Sequence, residues 1–340
     1  VSNILKNLVQ AVGKRTSRDI FSGKGILLIP VHAVIEMEHI EILRNHGVQL
    51  YEDDVLEYEE PHDNMKRTVD ESVHRATAYF DEIRMTRKIP IADIRNDVLP
   101  IVHEACREST LYDLFTSLQA KDDYTYRHNI AVGTFSGLLG GWLGLERQML
   151  LQLTTAALLH DVGKMLVPEE ILNKPGKLSH EEFIEMKNHT VYGYNLLKET
   201  TGINHRQALV ALQHHERMDG SGYPNGITGE QIDLFSRIVA VADVFHAMTS
   251  SRVYRTASPF FEVLTQMQKD TYGVLDPKIT QIFIKKLMNT MIGQQVTLTD
   301  GRQGLILMVN SSDPIRPLIG LDDGYLDLSK DFTVHISQIL

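Results

Sequence analysis

An imidazole and a carboxylate stand side by side at His160 and Asp161, led in by Ala156-Ala157-Leu158-Leu159 and followed by Val162, Gly163 and Lys164. The apolar approach reads as helical, with Gly163 as the residue that stops it. Burying both groups without partners is costly, and a metal cation satisfies them together. One such pair is more often a hydrogen-bonded core histidine. What changes the odds is the number of further ligands. His128 follows Asp122-Asp123-Tyr124-Thr125-Tyr126-Arg127, and His214, His215 and Glu216 are consecutive. His189 lies on a helix opened by a capping box, Ser179 with Glu182 three residues on. Gly193 shares the face of His189 one turn later and permits close backbone approach. Asp243 lies in the apolar run Ile238 to Phe245, where an unpaired carboxylate is expensive.

Neutral imidazoles and carboxylates suit iron, manganese, zinc or nickel, and the lack of cysteine ligands argues against a structural zinc site. Five histidines and two aspartates are too many for one ion and fit two, with a carboxylate able to bridge. Two ions about 3.5–4 Å apart form a clamp for in-line displacement at phosphorus.

These residues fall in a helical stretch read as a catalytic domain at 108–291. A small mixed α/β unit at 1–60 and a helical connector at 61–107, broken at Pro90, precede it. In the first unit the pattern predicts a strand at Ile26 to Ile29, a helix over Ile35 to Asn45 and a second strand at Gly47 to Tyr51. His32, His39 and His46 recur seven apart there, a repeat read as chance. Past Thr290 the period switches to two. Gln295 to Leu298 and Gly304 to Val309 form a hairpin around an Asp-Gly turn, continued by Pro317 to Leu321 and Tyr325 to Leu328. This is a small antiparallel β unit at 292–340, so the fold class is multidomain and mainly α.

The 340 residues carry a formal net charge of −10, which argues against a general nucleic-acid binder. The single cysteine, Cys106, allows no intrachain disulfide and fits a reducing compartment. No signal peptide is visible in the first twenty residues. The longest apolar stretch, near Met149 to Leu159, is too short to span a bilayer. The expected location is cytoplasmic, with no membrane contact.

The set His128, His160-Asp161-Val-Gly-Lys164, His189, His214-His215-Glu216, Asp219-Gly-Ser-Gly222-Tyr223-Pro224 and Asp243 resembles the HD-GYP family, a branch of the HD phosphohydrolase superfamily. The likeness covers roughly residues 105–290. It implies an all-helical domain that cleaves cyclic di-GMP to linear pGpG, or on to GMP, through a hydroxide held between two divalent metals, iron or manganese before zinc or nickel. By the same resemblance His128, His160, Asp161 and Asp243 hold the first metal and His189, His214 and His215 the second, with Asp161 as the bridge. Lys164 faces the scissile phosphate, and Arg252 and Arg255 grip the substrate phosphates. A guanidinium fork suits that last task. Tyr223 flanks the substrate site in a loop proposed to contact GGDEF-type signalling proteins. The helical connector leaves room for a homodimer.

Three departures from the family pattern matter. Tyr124 stands where some members supply a glutamate to a third metal, so two metals are expected. Val253 replaces a common proline between the two arginines. His246 replaces the usual aspartate three residues after Asp243, on the same helical face, where it either supports a ligand or is one. That residue favours a second reading, a cyclic di-GMP sensor without turnover. A third reading keeps the chemistry and changes the substrate to another cyclic dinucleotide or a nucleoside phosphate.

Overall fold

A computed structural model describes residues 8–23, 25–30, 33, 35–56, 61–100, 102, 111–118, 124–250 and 258–340. The chain forms two compact units, Val1–Asn64 and Met65–Leu340. In the first, β1 (Arg15–Thr16) and β2 (Ile20–Phe21) precede β3 (Leu27–Ile29), α1 (Met37–Asn45) and β4 (Val55–Leu56). β1 pairs antiparallel with β4, and β2 with β3. Ile20, Ile29, Ile35, Ile40, Leu43, Leu50 and Val55 make its core. The strand expected at Gly47 to Tyr51 is not formed. Gly47 takes φ 64° to leave the helix, and the Val48 amide closes the helix end by donating to the Leu43 carbonyl. The Tyr51 amide then donates to the Asp54 carboxylate, and Tyr51 forms only an isolated bridge.

The second unit is helical, then β. α2 (Pro61–Thr86) turns Val69, Val73, Ala76, Phe80 and Ile83 inward, a stripe at alternating spacings of four and three. It ends where Arg87 adopts φ 58°, ahead of Pro90. α3 (Leu111–Leu118), α4 (Tyr124–Trp142), α5 (Arg147–Leu158), α6 (His180–Lys187), α7 (His189–Glu199) and α8 (His205–Gln213) follow. α9 (Leu234–Thr249), α10 (Phe260–Asp270) and α11 (Pro277–Thr290) come after these. Their starts are written locally. Ser179, Asn204, Asp233 and Asp276 each accept a hydrogen bond from a first-turn amide. α9 is apolar nearly all round, as a helix through the middle of a core must be. Phe245 on it meets Phe135 of α4 and Phe283 of α11 edge-on, at 5.2 and 4.9 Å between ring centres.

The C-terminal strands β5 (Gln295–Leu298), β6 (Gln303–Met308), β7 (Leu318–Leu321), β8 (Gly324–Asp327) and β9 (Ile336–Ile339) form one antiparallel sheet, ordered β8-β7-β6-β5-β9. The expected hairpin and its continuation are present, and β9 is an addition to them. Val296, Leu298, Ile306, Ile319 and Ile336 face inward and share one core with the helices. Among the described residues, no helix is long and apolar enough to cross a membrane.

Candidate metal centre

Five segments converge on one buried point. α4 supplies His128, the turn after α5 supplies His160 and Asp161, the first residue of α7 is His189, the end of α8 gives His214 and His215, and α9 gives Asp243. α5 stops at Leu158, short of the expected Gly163. The His160 amide bonds back only three residues, to Ala157, and a 3-10 turn, Val162–Leu166, follows. Gly163 serves a different purpose from stopping a helix. A Cβ there would lie 1.9 Å from the His189 carbonyl oxygen and 2.4 Å from the Gly193 nitrogen. Gly193 is less tightly confined, with a Cβ there 3.2 Å from both the Gly163 nitrogen and the Ala211 Cβ, so two glycines let the His160-Asp161 turn lie directly against α7.

The ligand atoms fall into two groups, each within 4.8 Å: His128, His160 and Asp243, and Asp161, His189, His214 and His215. Asp161 reaches both. Its Oδ2 lies 3.4 Å from His160 Nε2 and 3.9 Å from His128 Nε2. Its Oδ1 lies 3.3 Å from His189 Nε2 and 3.7 Å from His214 Nε2. Across the first group, His128 Nε2 stands 3.1 Å from Asp243 Oδ1.

Tautomers follow from the other ring nitrogen, because a carbonyl can only accept. His160 Nδ1 donates to Ala157 O at 2.7 Å and His189 Nδ1 to Met186 O at 2.6 Å, while His214 Nδ1 faces the Val210 and Ala211 carbonyls at 3.0 Å. Each Nε2 is thereby left as a lone pair aimed at the centre. His160 Nε2 and Asp161 Oδ1 are buried and have no hydrogen-bond partner. Such atoms are expensive in an apolar core, and a bound cation would satisfy them. The site therefore fits metal ions.

For three of the imidazoles electrostatics point the same way. Burial pushes His128, His214 and His215 down, His214 to about 4, so all three are neutral near pH 7 and have a lone pair to give. Burial opposes the charges on Asp161 and Asp243. Lys164 and His160 beside the first, and His128 against the second, outweigh it and hold both well below the usual carboxylate range. Burial likewise works against charging His160, but the adjacent Asp161 outweighs it and raises its pKa.

Lys164 pairs with Asp161 Oδ2 and keeps 24% of its side chain exposed, so it sits at the mouth of the site. Tyr223 stacks on His215 at 4.6 Å between ring centres, and its backbone amide donates to the His215 carbonyl. Gly222 allows this, since a Cβ there would lie 2.4 Å from that same carbonyl. Arg252, Val253 and Arg255 lie outside the described residues, as does the side chain of Tyr124.

Two residues beyond the expected set shape the site. Glu216 is buried and accepts the Asn225 amide at 2.7 Å, pinning the loop that carries Tyr223. Its place after two histidines is the only sequence signal for this. His246 does not reach the ligand groups. It lies behind His128, their Nδ1 atoms 2.9 Å apart. α2 braces both flanks. Asp81 accepts from Tyr126 and Asp70 from Arg127, the two residues before His128, while Arg84 bonds Glu169 and Met165 beside the Lys164 turn.

The HD domain family model matches residues 114–279. A protein of Pseudomonas aeruginosa named as a cyclic di-GMP phosphodiesterase is 35% identical over 240 residues, 71% of this chain and 58% of the relative. A Vibrio cholerae protein named 3'3'-cGAMP-specific phosphodiesterase 1 is 39% identical over 172 residues, 49% of this chain and 39% of the relative. The chain thus spans little more than half, or less, of these relatives. The solved structure of Bd1817, an HDG"Y"P protein from Bdellovibrio bacteriovorus, shares the fold at a TM-score of 0.53 and 16% identity, covering 83% of this chain and 97% of that one. The turn at His160-Asp161 and every residue of the two ligand groups lie inside the stretch that matches the HD domain.

Proposed function

We propose that this chain hydrolyses cyclic di-GMP to linear pGpG with two divalent ions bound at the centre. One observation carries the reading: a buried carboxylate, Asp161, presents one oxygen to each of two ligand clusters. His128, His160 and Asp243 would hold one ion and His189, His214 and His215 the other, with Asp161 shared between them. Iron or manganese suits this nitrogen–oxygen set. Bound there, such ions supply a nucleophile at neutral pH and neutralise charge on the phosphoryl oxygens.

The chain's own groups do the rest. Asp161 and Asp243 stay ionised in the core, and the backbone carbonyls hold the imidazoles in the ligating tautomer. Lys164 Nζ at the mouth meets a non-bridging phosphate oxygen and is placed to give a proton to the leaving oxygen. Burial raises the Tyr223 pKa, so its hydroxyl stays protonated and available as a donor. The name of the Pseudomonas relative supports cyclic di-GMP, while that of the Vibrio relative makes 3'3'-cGAMP the substrate to test against it.

The test is anaerobic purification, metal analysis, then incubation with each dinucleotide and chromatography of the products. Two ions per chain with linear pGpG formed faster from cyclic di-GMP is the expected result. Faster cleavage of 3'3'-cGAMP would overturn the substrate assignment. Tight binding of either dinucleotide by the metal-loaded protein without product would favour the sensor, the reading that His246 supports. A chain that takes up no metal would sink the proposal as a whole.

A further inference from the structure

We infer that His246, acting as a neutral hydrogen-bond acceptor, fixes the His128 ring and is thereby a positioning residue for one of the two ions. This rests on the metal reading above and adds to it a division of labour between the clusters. Two imidazole nitrogens 2.9 Å apart must share a single proton. His128 turns Nε2 toward Asp243 and the centre, so a ligating His128 carries its proton on Nδ1 and gives it to His246 Nδ1. His246 is then the Nε2–H tautomer. Its Nε2 has Ser250 Oγ at 3.1 Å and the Leu118 carbonyl at 3.4 Å to receive that proton.

His128, His246, Leu118 and Ser250 are all buried, so water does not replace a lost member of this chain. The other three imidazoles with a fixed Nδ1 rest on backbone carbonyls that no side-chain change removes. Of these four rings, His128 is the one that turns its Nδ1 to a side chain, His246, and not to a backbone carbonyl. That side chain acts on the ion held by His128, His160 and Asp243, and not on the one held by His189, His214 and His215.

Cobalt(II) titration of the chelator-treated full chain, followed by calorimetry and visible absorption, tests this. The wild type should take two ions. His246→Leu removes the acceptor and should weaken one ion by about 10–100-fold while leaving the other constant unchanged. His246→Asn keeps an acceptor near the position of Nδ1 and should restore the wild-type constants and spectrum. Equal weakening of both ions, equal loss in the Leu and Asn variants, or no loss in either overturns the positioning role. A wild type that binds no cobalt overturns the metal reading itself, which separates the two failures.

Discussion

His160, His189 and His214 differ from His128 and His215 in what holds the back of the ring. The first three donate to carbonyls three or four residues earlier in the chain. Their orientation is therefore a property of the backbone and is set as soon as the segment folds. His128 leans on His246 and His215 on the Tyr223 ring, partners far away in the chain or on a loop. One group is built by local geometry, the other by tertiary packing. Sequence change can adjust the second without touching the first.

The comparison breaks hardest at Asp161, the residue common to both sides. Asp161→Ala should remove both ions and reduce hydrolysis to background, read by metal analysis and product chromatography. Retention of either ion at full affinity would show that the carboxylate is not shared.

Gly163→Ala tests the backbone-built side. Its Cβ would collide with the His189 carbonyl, which cannot yield without moving α7. Urea unfolding should show a loss of at least about 3 kcal/mol, and cobalt uptake at the His189 cluster should fail. The same change at Gly141, where a Cβ meets nothing within 4 Å, is the control and should leave both unaltered.

Acid sharpens the contrast between charged and neutral groups. His128, His214 and His215 have depressed folded values, so below about 6.5 the unfolded chain binds more protons and stability falls as pH falls. For His214, taken from 6.5 to about 4, the loss is roughly 3 kcal/mol. His160 is shifted the other way and returns part of it. Denaturant unfolding of the chelator-treated protein between pH 7 and pH 4 should show a net decline, and a flat profile would contradict the burial of these rings.

The smallest effect belongs to the ring stack. Tyr223→Leu should weaken the ion at the His189 cluster by about 3–10-fold, the worth of an aromatic pair of roughly 1 kcal/mol. Tyr223→Phe keeps the stack and should keep the affinity.

What was legible in the sequence follows from range. Asp243 announces itself as a polar residue in an apolar helical run, between Ala242 and Val244, and a capping box such as Ser179 with Glu182 is local by construction. The hairpin at Asp300-Gly301 was legible for the same reason. The strands Arg15–Thr16 and Val55–Leu56 are too short to show a period. β9 pairs with β5 some forty residues back, a distance that no pattern in Ile336–Ile339 discloses. Gly163 was misread because a glycine needed for close approach and one that ends a helix look alike in one dimension. Position 246 was visible as a departure, but its contact with His128 spans 118 residues and only folding reveals it.

α2 draws these threads into a mechanical consequence. The helix is 26 residues long, about 39 Å, and begins just before the division between the two compact units. Asp70 and Asp81 tie it beside His128, and Arg84 ties it beside Lys164. Because one rod is tied beside both residues, a slide or roll of it would be felt at His128 and at the Lys164 turn together. Amide hydrogen exchange at the His160-Asp161 turn, compared between the wild type and Asp70→Ala, is where that motion would register.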